Sequence, residues 1–254
     1  MKYDVMLCKI TEKKQLTADV FDLTVEAGEL AEVASAGQFA QLYVPGKTLR
    51  RPISICEINR AAGTLRFVFQ IRGEGTAWLA DTCPGDTLDI LAPLGNGYSL
   101  GNTRQKAVFV GGGIGVPPLL EAAKAFGEHA AVLTGFRNEE SIILKEDFEK
   151  NGNRVLIATD DGSFGYHGLV TDLLKGLDFT AVFACGPVPM LKSVCKIAAA
   201  RGVPCQVSLE ERMACGIGAC LGCACRLKKD GTEFYGHVCK DGPVFDSETV
   251  VWEG

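Results

Sequence analysis

The sequence predicts three modules in series: an antiparallel β-barrel, a doubly wound parallel-sheet α/β domain, and a short C-terminal loop region built around cysteines. Three observations carry this. Strand-length runs separated by turn residues fill the first hundred positions, strand–helix alternation follows, and five of the eleven cysteines crowd into residues 215–239. At 254 residues the chain accommodates two modest domains and an appendix, taking roughly 100–150 residues per domain. The expected bounds are 1–101, 102–204 and 205–254.

The barrel rests on six runs: YDVMLCKI, DVFDLTVEA, QFAQLYV, PISICEI, TLRFVFQI and DTLDILAPL. They are rich in Val, Ile, Phe and Thr and bounded by Gly, Pro, Asn or Asp, the mark of short strands. Six at this spacing suit a small closed sheet. One helical stretch, around GTAWLADTC, interrupts them. The polar, glycine-rich GNGYSLGNTRQ (95–105) has no periodicity and is expected to be a linker. Beyond it, KAVFVGG, AAVLTGF, RVLIATD and TAVFACG are near-continuous apolar strands. They alternate with the helix-like VPPLLEAAKAFG, ILKEDFEK, GLVTDLLKG and PMLKSVCKIAAARG. Such alternation predicts a parallel sheet covered on both faces. From Cys205 onward the pattern is expected to dissolve into a glycine- and cysteine-rich loop ending in FDSETVVW.

Hydrophobic residues make up 47% of the chain and charged residues 22%, so it can bury a core. A net charge of −5 and no basic run longer than two residues argue against nucleic acid or an anionic membrane surface as the main partner. The opening MKYDVMLCKI lacks the layout of a signal peptide, and no stretch approaches the roughly 18 apolar residues of a membrane helix. The expectation is a cytoplasmic protein, where cysteines are not kept as disulfides. Cys8, Cys56, Cys83, Cys185, Cys195 and Cys205 lie in apolar stretches, and most are expected to be small core residues.

The remaining five ask for chemistry. Cys215, Cys220, Cys223 and Cys239 read C-x4-C-x2-C-x15-C, and the first three have the spacing of plant-type 2Fe–2S loops. Gly216, Gly218 and Gly222 permit the tight wrapping that brings thiolates and backbone N–H groups onto a cluster. Four cysteines also suit structural zinc, but zinc ribbons pair two C-x2-C knuckles and only Cys220–Cys223 forms one here. The spacing favours iron–sulfur. Cys225 fits neither template.

Two turns suit a nucleotide. VFVGGGIGVPPLL places Gly111, Gly112, Gly113, Ile114 and Gly115 between a strand and a helix, where backbone N–H groups attract a pyrophosphate. It departs from G-x-G-x-x-G, and alone it is equally an ordinary strand-to-helix turn. ACGPVPM also ends a strand and opens a helix at the same sheet edge, so Cys185, Gly186 and Pro187 are expected to floor the same crevice. In the barrel half, Arg51-Pro52-Ile53-Ser54 lies on a strand and Arg72-Gly73-Glu74-Gly75-Thr76 opens a helix. A guanidinium beside a helix start suits a pyrophosphate, and a serine hydroxyl suits a flavin ring nitrogen. Taken singly, these are also a surface charge and a helix cap.

Together and in this order, RPIS, RGEGT, GGGIG, CGP and the cysteine loop resemble the ferredoxin–NADP reductase superfamily over nearly the whole chain. RRPISI with EERMACGIGACLGCAC most resembles the family of electron-transfer subunits of NAD-dependent (type B) dihydroorotate dehydrogenases. The resemblance implies an FAD-binding barrel, an NAD-binding α/β domain and a C-terminal 2Fe–2S region. It implies that Arg51, Pro52, Ile53, Ser54, Val68, Phe69, Gln70, Gly75 and Thr76 hold FAD, and that the GGGIG and CGP turns hold NAD(H). It further implies that Cys215, Cys220, Cys223 and Cys239 ligate the cluster. The implied partner is an FMN-containing subunit that oxidises dihydroorotate in pyrimidine biosynthesis, two copies of each chain assembling. Sister chains serve hydrogenases, sulfide dehydrogenases and bifurcating reductases; some replace the first cysteine ligand with aspartate, whereas Cys215 is kept here. No acid–base constellation appears among His129, His167 and His237, and hydride transfer needs none. The chain alone is expected to be only an NADH:acceptor diaphorase. Two further alternatives are a self-sufficient reductase for diffusible ferredoxin and a zinc-stabilised nucleotide-binding regulator.

Overall fold

A computed structural model describes residues 3–252, so positions 1–2 and 253–254 of the expected modules lie outside the described residues. The chain begins with β1 (Asp4–Gln15), β2 (Val20–Glu26) and a short helix α1 (Glu29–Val33). There follow β3 (Phe39–Leu42), β4 (Arg51–Asn59), β5 (Thr64–Gln70), α2 (Glu74–Asp81) and β6 (Thr87–Leu94). The six strands close into an antiparallel barrel in the order β1-β2-β5-β4-β3-β6. Period-two alternation fills it: Leu23, Val25, Leu65, Phe67, Leu88 and Ile90 are buried together inside. The alternate residues of β5, including Arg66, Val68 and Gln70, therefore face outward. Helix α1, which the sequence pattern does not announce, covers the barrel with Leu30 and Ala31.

The second half contains β7 (Ala107–Gly112), α3 (Leu120–Phe126), β8 (Ala130–Phe136), α4 (Lys145–Lys150) and β9 (Arg154–Thr159). It continues with β10 (Tyr166–His167), α5 (Val170–Lys175), β11 (Ala181–Cys185), α6 (Val188–Ala200) and β12 (Cys205–Ser208). The C-terminal part adds β13 (Ala224–Lys229), β14 (Thr232–His237) and β15 (Val244–Asp246). One seven-stranded sheet runs β10-β9-β8-β7-β11-β12-β15, all parallel except β15. Strand order reverses between β7 and β11, so the crevice outside their carboxyl ends is the ligand site that such a sheet offers.

One sequence expectation changes and two gain detail. The pattern does not dissolve at Cys205, because β12 and β15 extend the sheet and β13–β14 form a hairpin. Its two-residue turn is Asp230-Gly231, both at positive φ, the dipeptide that matches hairpin twist. Segment 95–105 joins the two domains but is anchored rather than loose: Tyr98 is buried, its hydroxyl donates to the Ala184 carbonyl, and Asn96 N–H donates to the Gly242 carbonyl. Of the six scattered cysteines, Cys8, Cys56, Cys185, Cys195 and Cys205 are buried, as expected of most of them, and Cys83 is exposed.

The modules are braced against each other. Outward-facing Arg66 on β5 reaches Asp22 at 2.8 Å, Glu57 at 3.2 Å and, across the domain boundary, Asp147 on α4 at 2.6 Å. Burial works against the Arg66 charge, but hydrogen bonds to Asp22 and Asp147 hold its pKa well above the usual value. On the other side, Cys223, Leu227, Val238 and Cys239 share a core with Phe39 and Leu94. The cysteine region is thereby seated on the outer face of β3 and β6.

Candidate functional site

A cleft of about 390 Å³ runs along the outer face of β4 and β5. Arg51, Pro52, Ile53, Ser54, Val68, Phe69, Gln70 and Thr76 border it. Alternation aims Ser54, Val68 and Gln70 into it, whereas the Phe69 ring stacks on Phe21 with centroids 6.2 Å apart. Gly75 does not border the cleft. It instead makes room for Arg51: a Cβ on Gly75 would fall 2.1 Å from Arg51 Nε. Thr76 Oγ1 accepts the backbone N–H groups of Arg72 (2.8 Å) and Gly73 (3.2 Å), which locks the start of α2 beside the guanidinium. The first-turn N–H groups lack intrahelical partners, so an anionic group has a charged side chain and a helix start to rest on.

A second crevice, about 640 Å³, opens at the carboxyl ends of β7 and β11. Gly112, Gly113, Ile114 and Gly115 line one side, Gly186 and Pro187 the other. The two turns touch so closely that side chains are excluded: a Cβ on Gly115 would stand 2.6 Å from the Cys185 carbonyl oxygen, and one on Gly186 would stand 2.9 Å from Gly112 N. Gly111 lies below the crevice rather than on its wall, packed where a Cβ would meet Val116 at 2.8 Å. Cys185 borders the barrel cleft instead. Burial pushes its thiol up to about 12, with the Glu210 charge adding to this and a hydrogen bond with Ser208 opposing it. It is a neutral floor.

The two cavities are continuous. Gln70, Arg72, Ile114 and Glu210 border both. Arg72 lies inside the RGEGT motif; Glu210, just before the cysteine loop, does not show in the sequence as a site residue, because only the fold brings the end of β12 beside Arg72. The cleft walls push the Glu210 carboxyl above its ordinary pKa, and the Arg72 charge pulls the other way. At the far end of the barrel cleft, Glu211, Met213 and Pro243 bring the cysteine region to the same wall.

In the loop the thiols fall into two pairs. The Cys215 and Cys220 side chains are hydrogen-bond neighbours, as are Cys223 and Cys239. Backbone N–H groups point at the sulfurs: Ala219 (3.3 Å) and Cys220 (3.4 Å) donate to Cys215, Gly218 (3.2 Å) to Cys239, and Gly222 (3.4 Å) to Cys220. Burial pushes the Cys215 thiol up, but N–H donors from Ile217, Cys220 and Ala219 and the Cys220 side chain outweigh it and bring it down to about 6. Among the described residues no three His, Cys, Asp or Glu side chains converge on one point. Cys225 lies on β13, outside both pairs, with its thiol pushed up to about 11, chiefly by burial.

Residues 210–251 match the iron–sulfur cluster binding domain of dihydroorotate dehydrogenase B. The chain is 40% identical to the dihydroorotate dehydrogenase B (NAD(+)) electron transfer subunit of Fusobacterium nucleatum, over 96% of this chain and 97% of that one. It is 39% identical to the subunit of the same description from Bacillus caldolyticus, over 95% and 96%. A solved NADH-dependent reduced ferredoxin–NADP oxidoreductase, studied for flavin-based electron bifurcation, superposes with a TM-score of 0.85 at 31% identity, covering 97% of this chain and 90% of that chain. A ferredoxin NADP+ reductase from Neisseria gonorrhoeae with bound FAD and NADP shares the fold at a TM-score of 0.64 and 21% identity, over 80% and 92%. With both cavities and the paired thiols laid out along one wall, and with this identity over nearly the full length, the chain belongs to the family of electron transfer subunits of NAD(+)-dependent dihydroorotate dehydrogenase B.

Proposed function

We propose that this chain passes electrons between NAD(H) and a catalytic partner subunit that carries FMN and interconverts dihydroorotate and orotate, in the cytoplasm and in pyrimidine biosynthesis. The observation that carries the proposal is continuity: the sheet crevice opens into the barrel cleft through Gln70, Arg72, Ile114 and Glu210, and that cleft reaches the cysteine region at Met213. FAD supplies two-electron hydride chemistry and one-electron release, and a 2Fe–2S cluster supplies one-electron carriage.

The chain's own residues divide the work. Residues 1–101 form the FAD-binding barrel, 102–204 the NAD-binding domain and 205–254 the cluster-binding region. Arg51 and the start of α2 hold a pyrophosphate, Gly75 leaves space for that guanidinium, and Thr76 fixes the turn. Pro52, Ile53, Ser54, Val68, Phe69 and Gln70 border the flavin ring, with the Ser54 hydroxyl as hydrogen-bonding group. Gly112, Gly113, Ile114 and Gly115 receive the nucleotide opposite Gly186 and Pro187, with Gly111 supporting the turn and the uncharged Cys185 facing the flavin. Cys215, Cys220, Cys223 and Cys239 would ligate the cluster.

The loop carries exposed Ile217 and Leu221 with few charges, which suits the centre of an interface. We infer a complex of two copies of each subunit. The sister function, serving another redox complex, draws support from the likeness to the bifurcating oxidoreductase. Dihydroorotate-dependent NAD⁺ reduction, measured with this chain alone, with an FMN-bearing catalytic subunit alone and with both mixed, separates the possibilities. Activity only in the mixture is expected. Activity from this chain alone refutes the two-subunit division, and an assembled but inactive mixture assigns the chain to a sister partner.

A further inference from the structure

Gln41 lies on β3, a strand buried on both faces. Ala40 and Leu42 fill the barrel, while Phe39 packs into the core shared with the cysteine region. Alternation puts Gln41 on the same side as Phe39. Its side chain is 0% exposed, and neither Nε2 nor Oε1 has a hydrogen-bond partner. Among the described residues it alone leaves both side-chain polar atoms buried and unpaired. Each such group costs ~1–3 kcal/mol when nothing satisfies it. Leucine would fill the space without that penalty, so the amide calls for a partner that this chain does not supply.

Directly against it lies Gly216, the residue after Cys215. A Cβ built on Gly216 would stand 2.8 Å from Gln41 Nε2 and 2.7 Å from its Cγ. The side-chain amide is thus pressed on the backbone of the loop that carries three of the four paired thiols. The N–H donors that reach those sulfurs are backbone groups. Gln41 brings an unpaired side-chain amide from the barrel to the same loop.

We propose that Gln41 is a positioning residue for the iron–sulfur cluster, donating an Nε2–H hydrogen bond to a sulfur of the group that the paired cysteines hold. This rests on the cluster assignment above. A donor to a cluster sulfur stabilises the more negative, reduced state, so removing it lowers the reduction potential.

The test uses the full chain with FAD and cluster loaded. Gln41→Leu keeps the volume and deletes the amide. Its iron and labile sulfide are expected to match the wild type, while the ratio of reduced to oxidised cluster at a fixed solution potential falls three- to tenfold, read by electron paramagnetic resonance during a redox titration. Tenfold corresponds to ~59 mV for a one-electron couple. In reduced wild-type protein labelled with ¹⁵N at glutamine side-chain amides, a hyperfine coupling to ¹⁵N is expected, and Gln41→Leu abolishes it. An unchanged ratio in the loaded variant overturns the proposal. If the variant does not assemble, the labelled wild type decides alone, and absence of coupling overturns the proposal. A wild-type protein without iron after anaerobic reconstitution fails differently: iron content then removes the cluster assignment and this inference with it.

Discussion

Gly115 ends the turn after β7, and its substitution by alanine tests how the two glycine turns build one crevice. The new Cβ would stand 2.6 Å from both the Cys185 carbonyl oxygen and Gly186 Cα. These are backbone atoms, which cannot rotate aside as a flexible side chain does. Ordinary contact begins at 3.4 Å, so the GGGIG and CGP turns must part by about 0.8 Å. Overpacking of this kind costs ~1–3 kcal/mol. At ~2–4 °C per kcal/mol for a chain of this size, the melting temperature falls by ~2–12 °C. Misplacement approaching ~1 Å at a reacting centre costs up to ~100-fold, so kcat/KM for NADH is expected to fall ~10- to 100-fold. The assay is steady-state dye reduction by NADH, with flavin and iron content measured on the same preparation. Flavin is expected to stay bound, because Arg51, Ser54 and the start of α2, assigned to hold it, lie on the barrel rather than on the two turns that part. Gly113→Val provides the contrast: nothing lies within 4 Å of its Cβ, but φ is +53°, a conformation costing a side-chain-bearing residue ~1–2 kcal/mol. It should raise the NADH KM with flavin intact. A Gly115→Ala protein with wild-type melting temperature and KM refutes the close-contact argument. Loss of flavin in step with activity refutes the division of the two cavities.

Gly75→Ala should displace the Arg51 guanidinium, whose Nε lies 2.1 Å from the new Cβ, and lower FAD affinity nearly as much as Arg51→Ala. That loss is on the order of 1.5–3 kcal/mol for a charge-assisted contact; flavin titration checks both, and wild-type affinity in either variant removes Arg51 from the site. Replacing Cys215, Cys220, Cys223 or Cys239 with serine should abolish the 2Fe–2S spectrum and leave FAD bound, whereas Cys225→Ser should keep it; the reverse result for Cys215 and Cys225 overturns the ligand set. Arg66→Met strips the 4%-exposed Asp22 of its partner. Orphaning a buried charge costs ~3–5 kcal/mol, read as a fall of ~6–20 °C at ~2–4 °C per kcal/mol. Adding Asp22→Leu should return most of that stability, and a double variant no better than the single one contradicts the charge explanation.

What the sequence determined by itself was local. The alternation of Val, Ile and Phe with polar residues is enough to outline all six barrel strands, since period-two burial is written along each strand. Glycines at the ends of β7 and β11 mark strand-to-helix turns whose backbone a nucleotide can approach, and the C-x4-C-x2-C spacing sets three thiols within one short loop. Local pattern also misleads where burial comes from elsewhere. The 95–105 segment lacks periodicity yet is fixed by Tyr98 under β11, and Cys205–Ser208 is too short to be recognised until β11 and β15 pair with it on either side. Only the tertiary structure decided that Arg72 and Glu210 border both cavities, that Gly75 serves Arg51, and that Gln41 lies against a loop some 175 residues later in the chain. The physical reason is the same in each case. Propensity and periodicity describe how a residue sits on its own strand or helix, whereas these relations arise when two apolar faces are buried against each other, and the outer face of β3 acquires its meaning only once the cysteine region covers it.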